Sequence, residues 1–253
     1  MRVLVCIKRV PDSSGQVVLT EDSQAIDGRF AGFTVSDHEN CAVETAVQLS
    51  DDVTVITLGA PEAVEQLRTA LGVGATAAVH IEAEPKNFGP TDIAKEIAAV
   101  VREHEADGRG YDLILLGNDA ADSGDFQVPI RLAYELGRPV VTGIKTVSAV
   151  EGAVTAVGDG PDGGTETYEL ALPAVVAILE GGVEPRYPTI KGRMAAKKIA
   201  IETRLPSATP VGASRVQLTL PPPVPSNVQI LGNGPEAAAE VVDLFGRLGV
   251  LTK

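Results

Sequence analysis

Hydrophobic residues alternate along the chain between short, nearly unbroken apolar runs and longer stretches in which they recur every three or four positions. Met1–Ile7 is apolar apart from Arg2, as expected of a central strand in a parallel sheet covered on both faces. Pro11 ends that run, and Asp12-Ser13-Ser14-Gly15 has turn chemistry. Val17–Thr20 and Ala25–Ile26, with polar residues between them, fit a small hairpin. Ser36 or Asp37 then offers an N-cap for a helix carrying Cys41, Ala42, Thr45, Ala46 and Leu49 at helical spacing. Val53–Leu58 is a second buried strand, closed by Gly59-Ala60-Pro61. Pro61 suits the first turn of a helix with Val64, Leu67, Ala70 and Leu71 on one face, which Gly72 and Gly74 end. Ala77–Ile81 is a third strand, and Thr91–Arg102 a helix with Ile93, Ile97, Ala98 and Val101 inward. Leu113–Leu116 is a fourth strand, followed after a loop by a helical pattern from about Asp125. Four rounds of strand and helix predict a doubly wound, mostly parallel, Rossmann-like α/β sheet.

Beyond Arg138-Pro139 strand patterns take over. Val140–Thr142 and Ile144–Val150 are rich in β-branched residues around Gly143. Ala153–Val157 and Thr165–Leu170 flank the dense turn signal Asp159-Gly160-Pro161-Asp162-Gly163-Gly164, and Ala174–Leu179 returns to the buried type. Antiparallel strands therefore extend the sheet. Pro206, Pro210, Pro221, Pro222, Pro223 and Pro225 rule out a helix or central strand over 204–227 and predict an extended arm. Gly232-Asn233-Gly234 and a helix from Pro235, with Val241, Leu244, Phe245 and Leu248 on one face, end the chain. The expected organisation is an α/β domain over 1–203, with an exposed loop at about 180–198, then an arm and terminal helix over 204–253.

At 253 residues, 44% hydrophobic and 22% charged, the chain can bury a substantial core. Its net charge of −13 argues against nucleic acid or an anionic membrane as the main partner. No apolar run approaches membrane-spanning length, and the first residues lack a signal-peptide cleavage site, so a cytoplasmic protein without membrane insertion is expected. Two cysteines make no disulfide framework. Within this acidic chain, Glu180–Lys198 gathers Arg186, Lys191, Arg193, Lys197 and Lys198, which suits either an acidic partner surface or a solvated loop.

The stretch 113–136 carries the candidate chemistry. A buried strand breaks at Gly117 into small and acidic residues before a helix starts, and ligands of open α/β sheets bind at such carboxyl ends. Gly117, Ala120, Ala121, Ser123 and Gly124 would allow a phosphate or nucleotide ring to approach closely; the same residues also suit an ordinary strand-to-helix turn with an Asp cap. Gly232-Asn233-Gly234 lacks the lysine of a phosphate loop and reads as a helix-start turn. His38 and Cys41 have metal-compatible spacing but no second ligand pair. His38, His80 and His104 are scattered, His80 lies in a strand run as a core histidine would, and no Ser or Cys nucleophile motif accompanies them. The residues point to a binder of a nucleotide or cofactor rather than a protein performing acid–base chemistry itself.

Four segments resemble the beta subunit of electron transfer flavoprotein, the FixA family: LVCIKRVPD at 4–12, RTALGVGA at 68–75, DGGTETYELALPAVVA at 162–177, and GGVEPRYPTIKGRMAAKK at 181–198. The resemblance implies a heterodimer with an alpha subunit that holds most of an FAD. This subunit would bind AMP, or a second FAD in the same site as bifurcating members do, and would dock flavin-dependent dehydrogenases. A stand-alone nucleotide-binding module is the alternative of a different class. Carried over by motif position, the nucleotide contacts fall at Cys6, at Ser36, Asp37, His38 and Glu39, at Leu58, and along Asp119, Ala120, Ala121, Asp122, Ser123, Gly124, Asp125, Phe126, Gln127, Val128, Pro129 and Ile130. The docking residues implied are Glu184, Arg186, Tyr187, Ile190, Lys191, Arg193 and Met194, with Ile190 as anchor. Two segments depart from the family pattern: an Asn-Pro-aromatic segment stands here as Ser36-Asp37-His38, and a Gln-Ala-Ile-Asp loop as Asp119-Ala120-Ala121-Asp122.

Overall fold

In the computed structural model, which describes residues 1–12, 14–15, 17–212, 217–222, 225–226 and 228–250, every apolar run expected in the main sheet forms a strand, whereas the expected hairpin at 17–26 is one antiparallel bridge between Leu19 and Ile26. Ser13 of the predicted turn and Pro223 of the predicted arm lie outside the described residues. The first half contains β1 (Arg2–Cys6), β2 (Val10–Pro11), α1 (Gly28–Ala31), β3 (Phe33–Thr34), α2 (Asp37–Leu49), β4 (Asp52–Gly59), α3 (Val64–Val73), β5 (Ala77–Glu82) and α4 (Pro90–Ala106). It is followed by β6 (Leu113–Gly117), α5 (Gln127–Leu136), β7 (Val140–Val150), β8 (Ala153–Asp159), β9 (Thr165–Ala171) and β10 (Ala174–Ile178). α6 (Ile190–Ala196), β11 (Ile201–Arg204) and α7 (Ala238–Leu248) complete the chain.

The main sheet has nine strands in the order β11-β5-β4-β1-β6-β10-β7-β8-β9. Strands β11 through β7 in that order are parallel, and β8 and β9 add an antiparallel end. Period-two alternation sorts the strand side chains between two cores. Val3, Val5, Leu113 and Leu115 face α2, α3 and α6, while Leu4, Ile114 and Leu116 face α4 and α5. Helices thus cover both faces, which is why the strands read as unbroken apolar runs. From β1 the chain builds β4 and β5 on one side, then crosses to lay β6 on the other. The carboxyl ends of β1 and β6 therefore flank a topological switch point, where open α/β sheets bind ligands.

Three elements differ from the sequence expectation. Residues 190–196, expected as loop, form α6, capped by Thr189, whose side chain accepts from the Gly192 amide at 3.0 Å. Ile201–Arg204 forms β11 at the sheet edge beside β5. The 140–150 run is one strand bent at Gly143, whose φ of 73° accommodates the irregularity. After β11 the extended backbone is strapped along α4. Glu96 accepts from the amides of Ser207 and Ala208 at 2.7 and 3.0 Å, and Asp92 from those of Val211 and Gly212 at 3.0 and 2.9 Å. The chain divides into two compact units, Met1–Leu218 and Thr219–Lys253. In the second, a short helical turn at Gly234–Ala237 leads into α7, which leaves Val242, Phe245 and Leu248 exposed.

Candidate functional site

At the switch point, α2 starts beside the carboxyl ends of β1 and β6. Ser36 caps it: its hydroxyl accepts from the Glu39 amide at 3.3 Å, and Glu39 accepts in return from the Ser36 amide at 3.2 Å and hydroxyl at 2.8 Å. Glu39 is buried beneath the opening, with Gly117 so close that a Cβ there would lie 2.9 Å from Glu39 Cγ. Burial pushes the Glu39 carboxyl up to about 7, against the opposing pull of the Ser36 hydrogen bonds and Lys8. Cys6, at the end of β1, is buried next to it, and burial, with the Glu39 charge, drives its thiol far above the usual range. Cys6 is a wall, not a nucleophile.

The loop from Gly117 to Phe126 closes over this opening. Ala120 accepts from the amides of Ser123 and Gly124 at 3.1 and 2.7 Å and donates its own to the Asp125 carbonyl at 3.1 Å, making a tight local turn. Gly124 holds a φ of 64°, and a Cβ added to it would meet no protein atom within 4 Å. Asp125, two residues before α5, accepts from the Gln127 amide at 2.8 Å. Lys8 pairs with Asp122 at 2.6 Å; His38 pairs with Asp119 at 2.5 Å and, through its other ring nitrogen, with Glu180. The amides of Ala121, Asp122, Asp125 and Phe126 have no acceptor among the described residues. The loop carboxylates are thus bonded to Lys8, to His38 and to the Gln127 amide, while free amides line an open surface. That combination fits a nucleotide phosphate or ring.

Not every carried-over position faces this opening. Phe126 and Ile130 are exposed on α5, where Ile130 and Gln127 join Thr91, Arg131, Tyr134 and Glu135 around a shallow depression of about 470 Å3. Pro129 is buried, and Leu58 and Val128 pack partly buried against the α4–α5 core. Lys8, Asn118 and Glu180 belong to the site without having been singled out. Asn118 takes its amide to Ile178 O at 2.9 Å and accepts from the Gly143 amide at 2.7 Å, bracing the loop against β10 and β7. His80 is a core histidine bonded to Gly59 O at 2.9 Å, and His104 bonds Tyr111 at 2.7 Å. Among the described residues no group of three or more His, Cys, Asp or Glu side chains could hold a metal ion.

The second feature is the basic segment after β10. Glu184 and Lys191 are exposed along it, and Tyr187, Ile190 and Met194 project outward with 89%, 82% and 64% of their surface accessible. The backbone beneath them is seated firmly. Arg186 grips the buried Glu44 of α2 with Nε at 2.8 Å and Nη2 at 2.6 Å. Gly192 lies against Gly72 of α3, where a Cβ would come within 2.3 Å of the Gly72 carbonyl. Arg68 closes the far end by donating to the Ile199 carbonyl at 2.6 Å. Arg186 is therefore committed to its own fold, whereas Lys191 and Arg193 point outward beside Ile190 and Met194.

Residues 29–208 match the family model described as electron transfer flavoprotein domain. The chain is 34% identical over 236 residues to the electron transfer flavoprotein subunit beta of Syntrophomonas wolfei, covering 91% of this chain and 90% of that protein. It is 34% identical to the same subunit of Bacillus subtilis over 80% of this chain and 78% of the relative, and 33% identical to the human one over 81% and 82%. Among the described residues no helix is long and apolar enough to cross a membrane.

Proposed function

The chain belongs to the electron transfer flavoprotein beta-subunit family, and from that membership we propose that it is one half of a cytoplasmic heterodimer that takes electrons from flavin-dependent dehydrogenases and passes them to a downstream acceptor. An alpha subunit holds most of the FAD, which when bound supplies the one- and two-electron chemistry. This chain binds AMP at the switch point and presents the segment 184–194 to the dehydrogenase. The observation that carries the reading is the glycine-opened loop whose acids are paired and whose amides are free, set in the same domain as a rigidly seated row of outward apolar side chains. A second FAD in place of AMP is the runner-up, supported by the Gly124-Asp125…Gln127-Val128 pattern. Coexpression with an alpha-type subunit, followed by counting released cofactors, tests both. One FAD and one AMP per heterodimer is the expected result, two flavins would select the runner-up, and a chain that recruits neither partner nor flavin would overturn the reading.

Two variants separate the sites. Ile190→Ala removes an exposed anchor and is expected to slow dehydrogenase-driven flavin reduction about tenfold, with cofactor content unchanged, as for a typical interface hot spot. Stopped-flow reduction at matched flavin concentration measures it; unchanged rates would remove Ile190 from the docking surface. Gly124→Val places a β-branched side chain at positive φ and points it into the opening, so nucleotide retention is expected to fall about tenfold. Full AMP occupancy in the purified variant would take the loop out of the site.

A further inference from the structure

Three residues of α2, within two turns, hold three points of the segment after β10 at matched spacing. His38 reaches Glu180, the Cys41 thiol lies 3.6 Å from the Val183 carbonyl, and Glu44 binds Arg186. Steps of three residues along the helix thus meet steps of three along the segment. At the first of these points, His38 also holds Asp119, the residue that opens the nucleotide loop, with Nδ1 2.5 Å from Oδ1. One ring nitrogen lies against each acid, so the imidazole joins the two segments. Among the described residues His38 is the only ion-paired side chain that bridges the 119–125 loop and the 180–186 segment.

We propose that His38 is a positioning residue that ties the nucleotide loop to the docking segment, so that a filled nucleotide site holds the docking surface in place and a docked partner tightens nucleotide binding. The proposal rests on the nucleotide reading given above. Its physical basis is that a ligand ordering Asp119 restricts His38, and through it Glu180, and coupling of this kind is reciprocal between the two sites. The test is a double-mutant cycle on AMP affinity in the full-length chain, using wild type, Glu180→Gln, His38→Phe and the double variant. Glu180 is exposed, so Glu180→Gln leaves the fold undisturbed. The expected result is that Glu180→Gln weakens AMP about fivefold when His38 is present and leaves it unchanged in the His38→Phe background. Hydrogen exchange at 183–194 slows on adding AMP to wild type and does not respond in His38→Phe. Equal effects of Glu180→Gln in both backgrounds, or exchange at 183–194 indifferent to AMP in wild type, would overturn the tie. A wild-type chain that binds no AMP would instead remove the nucleotide reading. In that case the tie still requires faster exchange at 180–186 in His38→Phe than in wild type, and identical rates would end it.

Discussion

Replacing Arg186 with Ala is expected to destabilise the protein by about 1–2 kcal/mol at neutral pH, because it leaves the buried Glu44 unpaired while water screens the half-exposed Arg186 side of the pair. Glu44 is 2% exposed, and the Arg186 guanidinium and amide supply most of its hydrogen bonds, with Gln48 at 2.7 Å adding one more. The Arg186 hydrogen bonds hold the Glu44 carboxyl below the ordinary carboxylate range. A depressed carboxylate contributes stability above its unfolded value, near 4.3, and loses it as pH falls through the folded one. Wild type and variant should therefore differ at pH 7 and draw together as the pH falls below the unfolded value toward the depressed folded one. Urea midpoints at pH 7 and 3.5 measure this. Coincident midpoints at pH 7 would mean that water replaces Arg186 without cost. Because the same contact seats the segment beneath Tyr187 and Ile190, the variant should also accept electrons more slowly from a dehydrogenase.

Glu39→Gln should act in the opposite direction. Burial raises this carboxyl from an ordinary 4.5 to about 7, a difference that corresponds to about 3 kcal/mol. The folded state binds the proton more tightly than the unfolded one, so the contribution is fully present below the unfolded value and is lost as pH rises through 7. Above that, wild type carries an ionised carboxylate in a poor environment. A glutamine keeps an oxygen for the Ser36 amide and hydroxyl without the charge. The variant is expected to gain little at pH 5 and up to about 3 kcal/mol at pH 8. Thermal or urea unfolding at both values is the measurement, and a pH-independent difference would show that Glu39 does not titrate where the burial places it.

The sheet was legible because its strands are covered on both faces, so β1, β4, β5, β6 and β10 appear as apolar runs that no helix period explains. What escaped the reading lacked a buried face to write it into the sequence. α6 buries Ala196 but exposes Ile190 and Met194, which reverses the usual amphipathic signal and hid a helix inside a glycine-containing basic stretch. β11 spells Ile-Glu-Thr-Arg next to prolines, since an edge strand needs one apolar residue facing the core and its charges serve neighbours: Arg204 pairs with Glu103 and Glu202 with His104. In the candidate site the glycines and caps were readable from chain order, because capping is local. Lys8, Asn118 and Glu180 were not, because they meet partners across the sheet: Lys8 lies over a hundred residues from Asp122. Resemblance supplied positions such as Val128 and Pro129, whose side chains the helix turns toward the core.

β11 has one more consequence, for chains that stop early. Its parallel pairing along Ala78–Ile81 is what closes the outer side of β5. A polypeptide terminated between Ala196 and Ile201 would still contain every central strand and both helical layers. It would nevertheless carry a row of unpaired backbone donors and acceptors, backed by a finished core and ready to template pairing with another chain. Such fragments would fold far enough to persist and then assemble edge to edge. The last four-residue strand therefore decides whether this side of the sheet ends on a short, charged edge or on the longer apolar edge of β5.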